Sequence, residues 1–438
     1  MGIAITSAVW LFVGMYGVFR LNESHDTMRP GPVISVVQSD VPTRPGTLNG
    51  FDPELLVQDL LAFSSEAAAS DPKPEMVVWP ESPSGMPPLN ADWLHYTAFS
   101  LQDSQGSPLL MNDFGRSQAF ARSIQTWVER ERTPILLGTT GPLPSEGAPP
   151  EQWDNYNFAI RFNLAAGSQS DEQAKMRLFP VGEYIPWEGS FVHEWLKTMI
   201  ARESGFERTS WLAPGDRRKV FELSSGRTTD SVSDWRYAVS ICNEIMYPRE
   251  SAVFLPLENE AKPVDFVVNI SNHGSFLRNH AMIYHSILPT FRAVEARVGI
   301  ARSSNTGTSG FVKPTGEIYG EVLNAKGERR TGLGAPEMDL IEEVVRFRME
   351  KGAELAGSQE LVAEIKRLRA EAGVSGQSTQ TVWVDSRRTL YSQTGDLFGW
   401  CCLLVLLTAW AGGGLGLARM ARRSLHTNRP EQRQSRSV

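Results

Sequence analysis

The stretch DWRYAVSICNEIMYP, residues 234–248, decides how the chain can be interpreted. Its first half is rich in Tyr, Val and Ile and predicts a short β-strand, which stops at Cys242, where Asn243 and Glu244 follow. A thiol on such a strand-to-turn bend is lifted out of the sheet, and the next backbone N–H groups point at whatever lies over the sulfur. Free cysteines are also common core residues, so this stretch alone leaves a nucleophile and a packing residue both open.

Length and charge restrict the class of protein. With 438 residues and 41% hydrophobic content, the chain can form one large or two medium domains with packed cores. The formal net charge is −7, whereas the last 21 residues carry six Arg and one Glu. A basic tail on an acidic body indicates membrane topology, and we expect no nucleic-acid partner.

Cysteine usage excludes two further classes. The sequence has three cysteines, and Cys401 and Cys402 lie together in an apolar run. Cys242 is therefore alone in the rest of the chain, which excludes an intradomain disulfide framework, and no zinc-ligand spacing is present. We expect neither a metal nor a cofactor.

Two uncharged stretches predict transmembrane helices at the ends of the chain. Residues 1–20 are apolar up to Arg20, and a cleaved signal peptide is the alternative. Residues 397–418 contain 22 positions without a charge and are followed by an arginine-rich tail, 419–438. The positive-inside rule places that tail in the cytoplasm and residues 20–396 across the membrane, which in a bacterium is the periplasm.

Strand and helix patterns alternate between these two ends and predict a layered α/β domain over residues 30–336. A charged helical insertion is expected at 337–375, and residues 376–396 are expected to end the catalytic domain. Strands are predicted near 33–38, 76–79, 134–138, 156–162, 220–223, 237–241, 265–270 and 298–303, and helices near 53–69, 115–131 and 279–296.

A further short helix is predicted within the loop-like region after Pro186. The apolar residues of Phe191–Ile200 fall at i, i+1, i+4, i+5, i+8 and i+9, which places them on one helical face. Packing on the core and insertion into a membrane surface both remain open for this face.

Two charged positions suit the chemistry that a thiol nucleophile needs. Glu81 directly follows the apolar strand at 76–79 and is a candidate general base, although a surface glutamate would have the same pattern. Lys175 opens the loop 175–186 and could lower the thiol pKa and stabilise an oxyanion, although such loop lysines usually face solvent. Glu183 in the same loop could orient Lys175.

Taken together, these motifs carry a resemblance. Glu81, Lys175 and Cys242, with the flanking texts VWPE, KMRLFPVGEYIP and ICNE, resemble the Glu-Lys-Cys triad of the nitrilase superfamily. More narrowly, they resemble apolipoprotein N-acyltransferase, a bacterial membrane enzyme. Further matching text stands at 269–272, 292–297, 302–307 and 389–396.

The resemblance implies a nitrilase-like αββα sandwich flanked by the two transmembrane helices. It implies that Cys242 takes an acyl chain from a phospholipid as a thioester and passes it to the α-amino group of a diacylglyceryl-cysteine on an apolipoprotein. Glu81 would be the general base, and Lys175 with the backbone N–H of Asn243 would stabilise the oxyanion. Glu183 and Glu244 would support the site.

We further expect an acyl-chain entrance lined by apolar elements. Trp187 and Trp195 are the expected substrate-binding residues on that side, together with Asn272. Residues 86–89 and the arm at 191–200 are expected to take part.

The sequence departs from the family pattern in three ways. About six membrane helices that usually precede the first span are absent, so a misplaced start, a split gene or a two-span lineage is expected. Asn243 stands where Tyr is usual, and His273-Gly-Ser-Phe276 stands where Asp-Ala-Trp-Phe is usual. A membrane-tethered nitrilase-type amidase and an inactive truncated fragment are the alternative functions.

Overall fold

The computed structural model describes residues 2–40, 53–81, 110–142, 154–164, 171–204, 212–224, 234–248, 262–273, 281–323, 374–397, 399–408 and 410. The chain divides into two compact units, residues 1–388 and 389–438. The first unit contains both sheets and every residue discussed for the functional site.

The described strands are β1 (Met28–Gln38), β2 (Met76–Val78), β3 (Ile135–Pro142), β4 (Asn155–Phe162), β5 (Asp171–Ala174), β6 (Val220–Ser224), β7 (Asp234–Ile241), β8 (Phe266–Ser271), β9 (Gly299–Ser304), β10 (Gly310–Val312), β11 (Ile318–Tyr319) and β12 (Gly376–Asp385). The described helices of the first unit are α1 (Gly2–Thr27), α2 (Pro53–Ala68), α3 (Leu110–Glu131), α4 (Phe191–Ser204) and α5 (Ala281–Ala296). In the second unit, Leu390–Thr394 forms α6, and residues 399–408 are also helical.

The strands form two six-stranded sheets. Their orders are β12-β1-β2-β3-β4-β5 and β11-β10-β9-β8-β7-β6. In the first sheet β1, β2 and β3 are parallel, and β4 reverses the direction before β5 restores it. In the second sheet β7, β8 and β9 are parallel. As a result, β2, β5 and β7 each end in a loop at the carboxyl edge of a sheet.

Helices cover the outer faces of the two sheets. One buried cluster joins side chains of both sheets, such as Ile34 on β1 and Val239 on β7. A second cluster packs α2 and α3 onto the first sheet, and a third packs α5 onto the second sheet. Alternate side chains of a strand point to opposite faces, so covering both faces of each sheet requires the nearly continuous apolar strands seen in the sequence. Each fully buried aliphatic side chain contributes about 1.5–3 kcal/mol to this packing.

The mixed α/β fold predicted from the sequence is confirmed. The predicted strands and helices match described elements to within a few residues at their ends. The sequence analysis missed β5, β10, β11 and β12. The missed strand β5 reads Asp-Glu-Gln-Ala and β12 is largely polar in its first half, so neither carries the apolar run that signals a buried strand.

The two predicted transmembrane helices are not confirmed. Within the part of the chain that the structure describes, no helix combines the length and the apolar character needed to cross a bilayer. Ten residues of the second predicted span, at 398, 409 and 411–418, lie outside the described residues, as do residues 337–373 of the insertion predicted at 337–375, the apolar segment 86–89 and the tail 419–438.

A glycine permits close approach of the two sheets. Gly299 opens β9, and a Cβ atom built there would overlap the carbonyl oxygen of Trp383 on β12, which belongs to the other sheet. The same Cβ would lie 2.8 Å from Cγ1 of Val382. Backbone cannot yield as a flexible side chain can, so the two sheets would have to separate locally.

We expect Gly299→Ala to lower the free energy of unfolding by about 1–3 kcal/mol, as for other overpacked cores. Urea denaturation followed by circular dichroism measures the change. Gly14→Ala on α1 is the matched control, because a Cβ there meets no atom within 4 Å. Equal unfolding midpoints for the two variants would contradict the proposed close packing.

Candidate active site

Three loops at the carboxyl edges of the sheets bring the predicted site residues together. Glu81 follows β2, Lys175 follows β5 and Cys242 follows β7. The segment leading to Glu81 is held against β3, because the Trp79 N–H donates to the Leu136 carbonyl at 2.8 Å and the Gly138 N–H donates to the Pro80 carbonyl at 3.2 Å. Lys175 is fixed in the same way, since its N–H donates to the Asn157 carbonyl on β4 at 2.7 Å.

The Lys175 ammonium is buried between two carboxylates. Its side chain is 1% exposed, and its Nζ lies 2.8 Å from Oε1 of Glu183 and 3.5 Å from Oε1 of Glu81. The Asn157 amide bridges the same two oxygens, donating to Glu81 at 2.5 Å and to Glu183 at 2.8 Å. The second oxygen of Glu183 accepts from the Phe179 N–H at 2.6 Å. The four polar side chains therefore form one connected buried network.

Cys242 lies over this network from the opposite sheet. Its residue is 8% exposed and its thiol donates a hydrogen bond to Glu81. Cys242 is the first residue of a 3-10 turn, Cys242–Met246, and has φ = +53°. A non-glycine residue in the left-handed region is strained, and such strain is often found where a side chain must be presented for function. The bend predicted at this cysteine is thus present.

Opposing charges set the protonation states at rest. Burial lowers the pKa of Lys175, but the negative charges of Glu81, Cys242 and Glu183 outweigh it and the pKa is raised overall. Burial and the Glu81 charge raise the pKa of the Cys242 thiol to about 12, against the lowering effect of Lys175. Lys175 is therefore a permanent cation at neutral pH. Cys242 rests as a thiol and needs a base in contact to become a nucleophile.

Glu244 ties the nucleophile turn to the lysine loop. Its carboxylate is 0% exposed and accepts from the backbone N–H groups of Ile241 at 2.8 Å, Met176 at 2.7 Å and Arg177 at 3.2 Å. Arg218 Nη1 lies 3.7 Å from the same carboxylate. One side chain thus connects the residues on either side of the site, the residue before Cys242 and the two after Lys175. The expected supporting position of Glu244 has a structural basis in these bonds.

The remaining predicted residues occupy different surroundings. Asn243 is 1% exposed, and neither its amide nitrogen nor its amide oxygen has a hydrogen-bond partner among the described residues. Asn272 accepts from the Asn305 amide at 3.0 Å and is not joined to the lysine network by any described hydrogen bond. Trp187 and Trp195 are 67% and 56% exposed. The two tryptophans belong to an apolar surface that also includes Phe191 and Met199.

His273 is not arranged as a base for the thiol. It is buried, its Nδ1 lies 3.2 Å from the Thr306 carbonyl and 3.1 Å from Ser304 Oγ, and its ring contacts His285 edge-on at 4.5 Å between centroids. Burial and the Arg302 charge hold the pKa of His273 well below its usual value. It is therefore neutral in the folded protein at neutral pH.

Sequence reasoning missed Asn157 and Arg302. Asn157 is one of three polar residues of β4, which reads NYNFAIRF, and a buried amide in that position could have indicated a polar site. Arg302 lies in the motif at 302–307, but nothing in the pattern assigns it a role. Among the described residues, no group of three or more His, Cys, Asp or Glu side chains could hold a metal ion.

Comparison with curated proteins identifies homologues. The chain is 25% identical over 316 residues to an apolipoprotein N-acyltransferase of Agrobacterium fabrum, covering 70% of this chain and 50% of that protein. It is 25% identical over 320 residues to apolipoprotein N-acyltransferase 2 of Treponema denticola, covering 72% and 51%, and 25% identical over 314 residues to the enzyme of that name in Chlorobaculum tepidum, covering 70% and 51%. The resemblance predicted from the motifs is confirmed by these homologues. The chain spans about half the length of the curated relatives it matches.

The chain also matches solved structures of the nitrilase superfamily. An amidase from Nesterenkonia sp. matches with a TM-score of 0.40 and 15% identity, covering 67% of this chain and 88% of the amidase. A member of branch 10 of the nitrilase superfamily from Saccharomyces cerevisiae matches with a TM-score of 0.39 and 18% identity, covering 69% and 88%. Likeness at this level carries no statement about activity. No family model matches the chain.

The bonds of Glu244 lead to a prediction. Glu244→Gln keeps the shape of the side chain but replaces one acceptor oxygen with an NH₂ group, which would face a backbone N–H. We expect a loss of about 1–3 kcal/mol in the free energy of unfolding, the cost of a buried unsatisfied donor. Urea denaturation followed by tryptophan fluorescence measures it.

Glu222→Gln on β6 is the control, because this side chain is exposed and a surface change is expected within about 0.5 kcal/mol. Equal unfolding midpoints for Glu244→Gln and Glu222→Gln would show that the buried carboxylate is not a structural tie.

Proposed function

We propose that the chain is a cysteine-dependent acyltransferase that moves a fatty acyl group from a phospholipid to the α-amino group of a diacylglyceryl-cysteine at the N-terminus of an apolipoprotein. Glu81, Lys175 and Cys242 are the proposed catalytic residues. The observation that carries the proposal is one buried cluster. In it the Cys242 thiol donates a hydrogen bond to Glu81, and Lys175 Nζ lies 3.5 Å from Glu81 Oε1. Homology to curated apolipoprotein N-acyltransferases supports the substrate class.

In the first half-reaction, Glu81 takes the thiol proton as the sulfur attacks the ester carbonyl of the acyl donor. The carbonyl electrons move onto oxygen, and Lys175 stabilises that oxyanion, with the Asn243 backbone N–H as the proposed second donor. The carbon–oxygen bond of the ester then breaks. The departing alkoxide receives the proton from Glu81, which leaves an acyl thioester on Cys242 and a lysophospholipid.

In the second half-reaction, Glu81 removes a proton from the acceptor amine as the nitrogen attacks the thioester carbon. Collapse of the tetrahedral intermediate breaks the carbon–sulfur bond, and the Cys242 thiolate recovers its proton from Glu81. The network around Lys175 needs no rearrangement between the two steps, because its partner Glu183 takes no proton. Such preorganisation is the usual origin of electrostatic catalysis.

We propose that the catalytic domain works at a bacterial inner membrane, with residues 20–396 on the periplasmic side and the basic tail 419–438 in the cytoplasm. Both proposed substrates are lipids of that membrane. The uncharged stretches at 1–20 and 397–418 and the following arginines support this orientation. The large apolar side chains of α1, such as Trp10 and Phe12, are more than two-thirds exposed, as suits a lipid contact.

The arm formed by α4 is proposed as the acyl-chain entrance. It follows the loop that carries Lys175 and Glu183, and Phe191 and Trp195 on α4 are exposed aromatic side chains, as is Trp187 just before the helix. Interfacial tryptophans suit the boundary between lipid and water.

Acyl-enzyme formation tests the nucleophile and the base. Incubation with phosphatidylethanolamine is expected to add the mass of one acyl chain to the peptide containing Cys242, as measured by peptide mass spectrometry. We expect no adduct on this peptide in Cys242→Ala. In Glu81→Gln we expect an adduct that forms about 10²–10⁴-fold more slowly, the usual contribution of a general base. Cys401→Ser with Cys402→Ser is the control and is expected to be acylated normally.

A diacylated lipopeptide is then added to the acylated protein. A triacylated peptide is the expected product, whereas release of free fatty acid would contradict transfer and favour the amidase-type alternative. Acylation at another residue in Cys242→Ala would contradict the assignment of the nucleophile.

The arm gives a second prediction. Trp195→Ser is expected to slow acylation from phospholipid vesicles by about tenfold, because the loss of a contact worth about 1.4 kcal/mol has that effect. Acylation from a short, water-soluble acyl ester is expected to be unchanged, since that donor needs no lipid surface. The measurement is the ratio of the acylation rate from vesicles to the acylation rate from the soluble ester. Trp235→Ser would not serve as a control, because Trp235 packs on the core. Lys197→Ser on the same helix is the matched control. Equal slowing with both donors would contradict a role of the arm in binding the lipid donor.

A further inference from the structure

Arg302 is a buried cation that has no carboxylate in contact among the residues that the structure describes. It lies on β9 and is 3% exposed. Its Nη1 donates to Asn269 Oδ1 and to Ser271 Oγ at 3.2 Å, and its Nε donates to the Thr308 carbonyl at 3.2 Å, whereas Nη2 has no partner among the described residues. All these partners are neutral. Burying an arginine among neutral dipoles is costly, so such a charge indicates a purpose beyond packing.

Sheet register connects Arg302 to the nucleophile strand. Ser240 on β7, Asn269 on β8 and Arg302 on β9 are aligned neighbours across the second sheet. The Asn269 amide accepts from Arg302 through its oxygen and donates from Nδ2 to the Ser240 carbonyl at 2.9 Å. Ser240 lies two residues before Cys242. The guanidinium is therefore linked by a fixed chain of dipoles to the strand end that presents the thiol.

The charges around Cys242 balance only when Arg302 is included. Lys175 is in contact with Glu183, which takes no proton in the proposed cycle. The pair formed by Cys242 and Glu81 carries one negative charge until the sulfur attacks, first on the carboxylate and then on the sulfur. Cys242 and Glu81 are also the groups whose negative charges act favourably on Arg302, against the burial that lowers the pKa of Arg302 to about 10. Arg302 is thus the counter-charge for that moving negative charge.

We propose that Arg302 is a positioning residue whose guanidinium stabilises the Cys242 thiolate from behind the sheet, without touching substrate. The inference rests on the proposed function, because it takes Cys242 as the nucleophile. Lys175 faces the substrate side of the sulfur and its positive charge is shared with two carboxylates. Arg302 acts from the side of α5, and its hydrogen-bond partners among the described residues are all neutral.

Charged groups face the nucleophile and Arg302 from several elements. Glu81, Glu183 and Lys175 face Cys242 from the first sheet, and Glu244 with Arg218 lies beneath its turn. His273 and His285 face Arg302 from the end of β8 and from α5. Burial and Arg302 lower the pKa of His285 to about 4, and the pKa of His273 is also lowered, so both rings are neutral above pH 7. A change in thiol reactivity above pH 7 then reports on the Arg302 charge.

The test is the rate of Cys242 alkylation by iodoacetamide between pH 7 and pH 9.5, with the Cys242 peptide followed by mass spectrometry. The thiolate is the reacting form, so below the thiol pKa each unit of increase in that pKa lowers the rate tenfold. We expect Arg302→Met to lower the rate about tenfold at every pH, and Arg302→Lys to restore most of it. If Arg302→Met only loosened the packing around Cys242, the alkylation rate would rise instead, because exposing a buried thiol speeds alkylation.

Two further variants keep the test decisive. Asn269→Asp places a carboxylate against the retained guanidinium and neutralises its field, so we expect slower alkylation here as well. Arg161→Met is the matched control, because Arg161 is a buried arginine of the other sheet that contacts the Glu222 carbonyl and aromatic rings. It is expected to lose stability without slowing alkylation.

The outcomes separate this inference from the proposed function. Unchanged or faster alkylation in folded Arg302→Met would overturn the role of Arg302. If Arg302→Met does not fold, unchanged or faster alkylation of Cys242 in Asn269→Asp would overturn the role of Arg302. Iodoacetamide requires neither lipid nor acyl transfer, so wild-type protein that is alkylated normally but forms no acyl-enzyme would overturn the proposed function and not the electrostatic role.

Discussion

The Lys175 ammonium, enclosed between the carboxylates of Glu81 and Glu183, is the interaction on which the site depends. An isolated charge in a sheet sandwich would cost several kcal/mol, and only close pairing with further hydrogen bonds offsets that cost. The Asn157 amide supplies those bonds by donating to both carboxylates. Because these side chains bind one another, they hold each other in one arrangement. That arrangement leaves one face of Glu81 directed at the Cys242 thiol.

The two sheets contribute different halves of the site, and this division explains the role of Glu244. Glu81, Asn157 and Lys175 come from the first sheet, whereas Cys242 comes from the second. Small shifts between packed sheets would separate the thiol from its base. Glu244 opposes such shifts, because its carboxylate binds backbone N–H groups from both sheets' loops. Arg302 then adds charge from the outer side of the second sheet. The hydrogen bonds of Glu244 thus fix the relative position of the two segments, while the positive charges of Lys175 and Arg302 act on the site from the first and the second sheet.

Particular residues show how far sequence reasoning reached. The strand ending at Cys242 and the strand ending before Glu81 were predictable, because apolar runs that stop at polar residues mark buried parallel strands. The motif around Lys175 identified the third segment. Asn157 was not predicted, since a polar residue within a strand gives no sign of which side chains it will meet. Arg302 was equally hidden, because its proposed role depends on the neutral partners that surround it among the described residues, and those are a property of the folded chain.

The sequence by itself determined the alternation of strands and helices, the mixed α/β fold and the identity of the thiol, carboxylate and ammonium that the motifs single out. Those features follow from local periodicity and residue chemistry, which the chain carries in linear order. Tertiary structure alone decided that Glu81, Lys175 and Cys242 meet, that Asn157 and Glu244 hold them, and that Cys242 rests as a protonated thiol. Those properties depend on distance and burial between segments about 60 to 160 residues apart, and electrostatic energies at such sites are set by the neighbours that packing supplies.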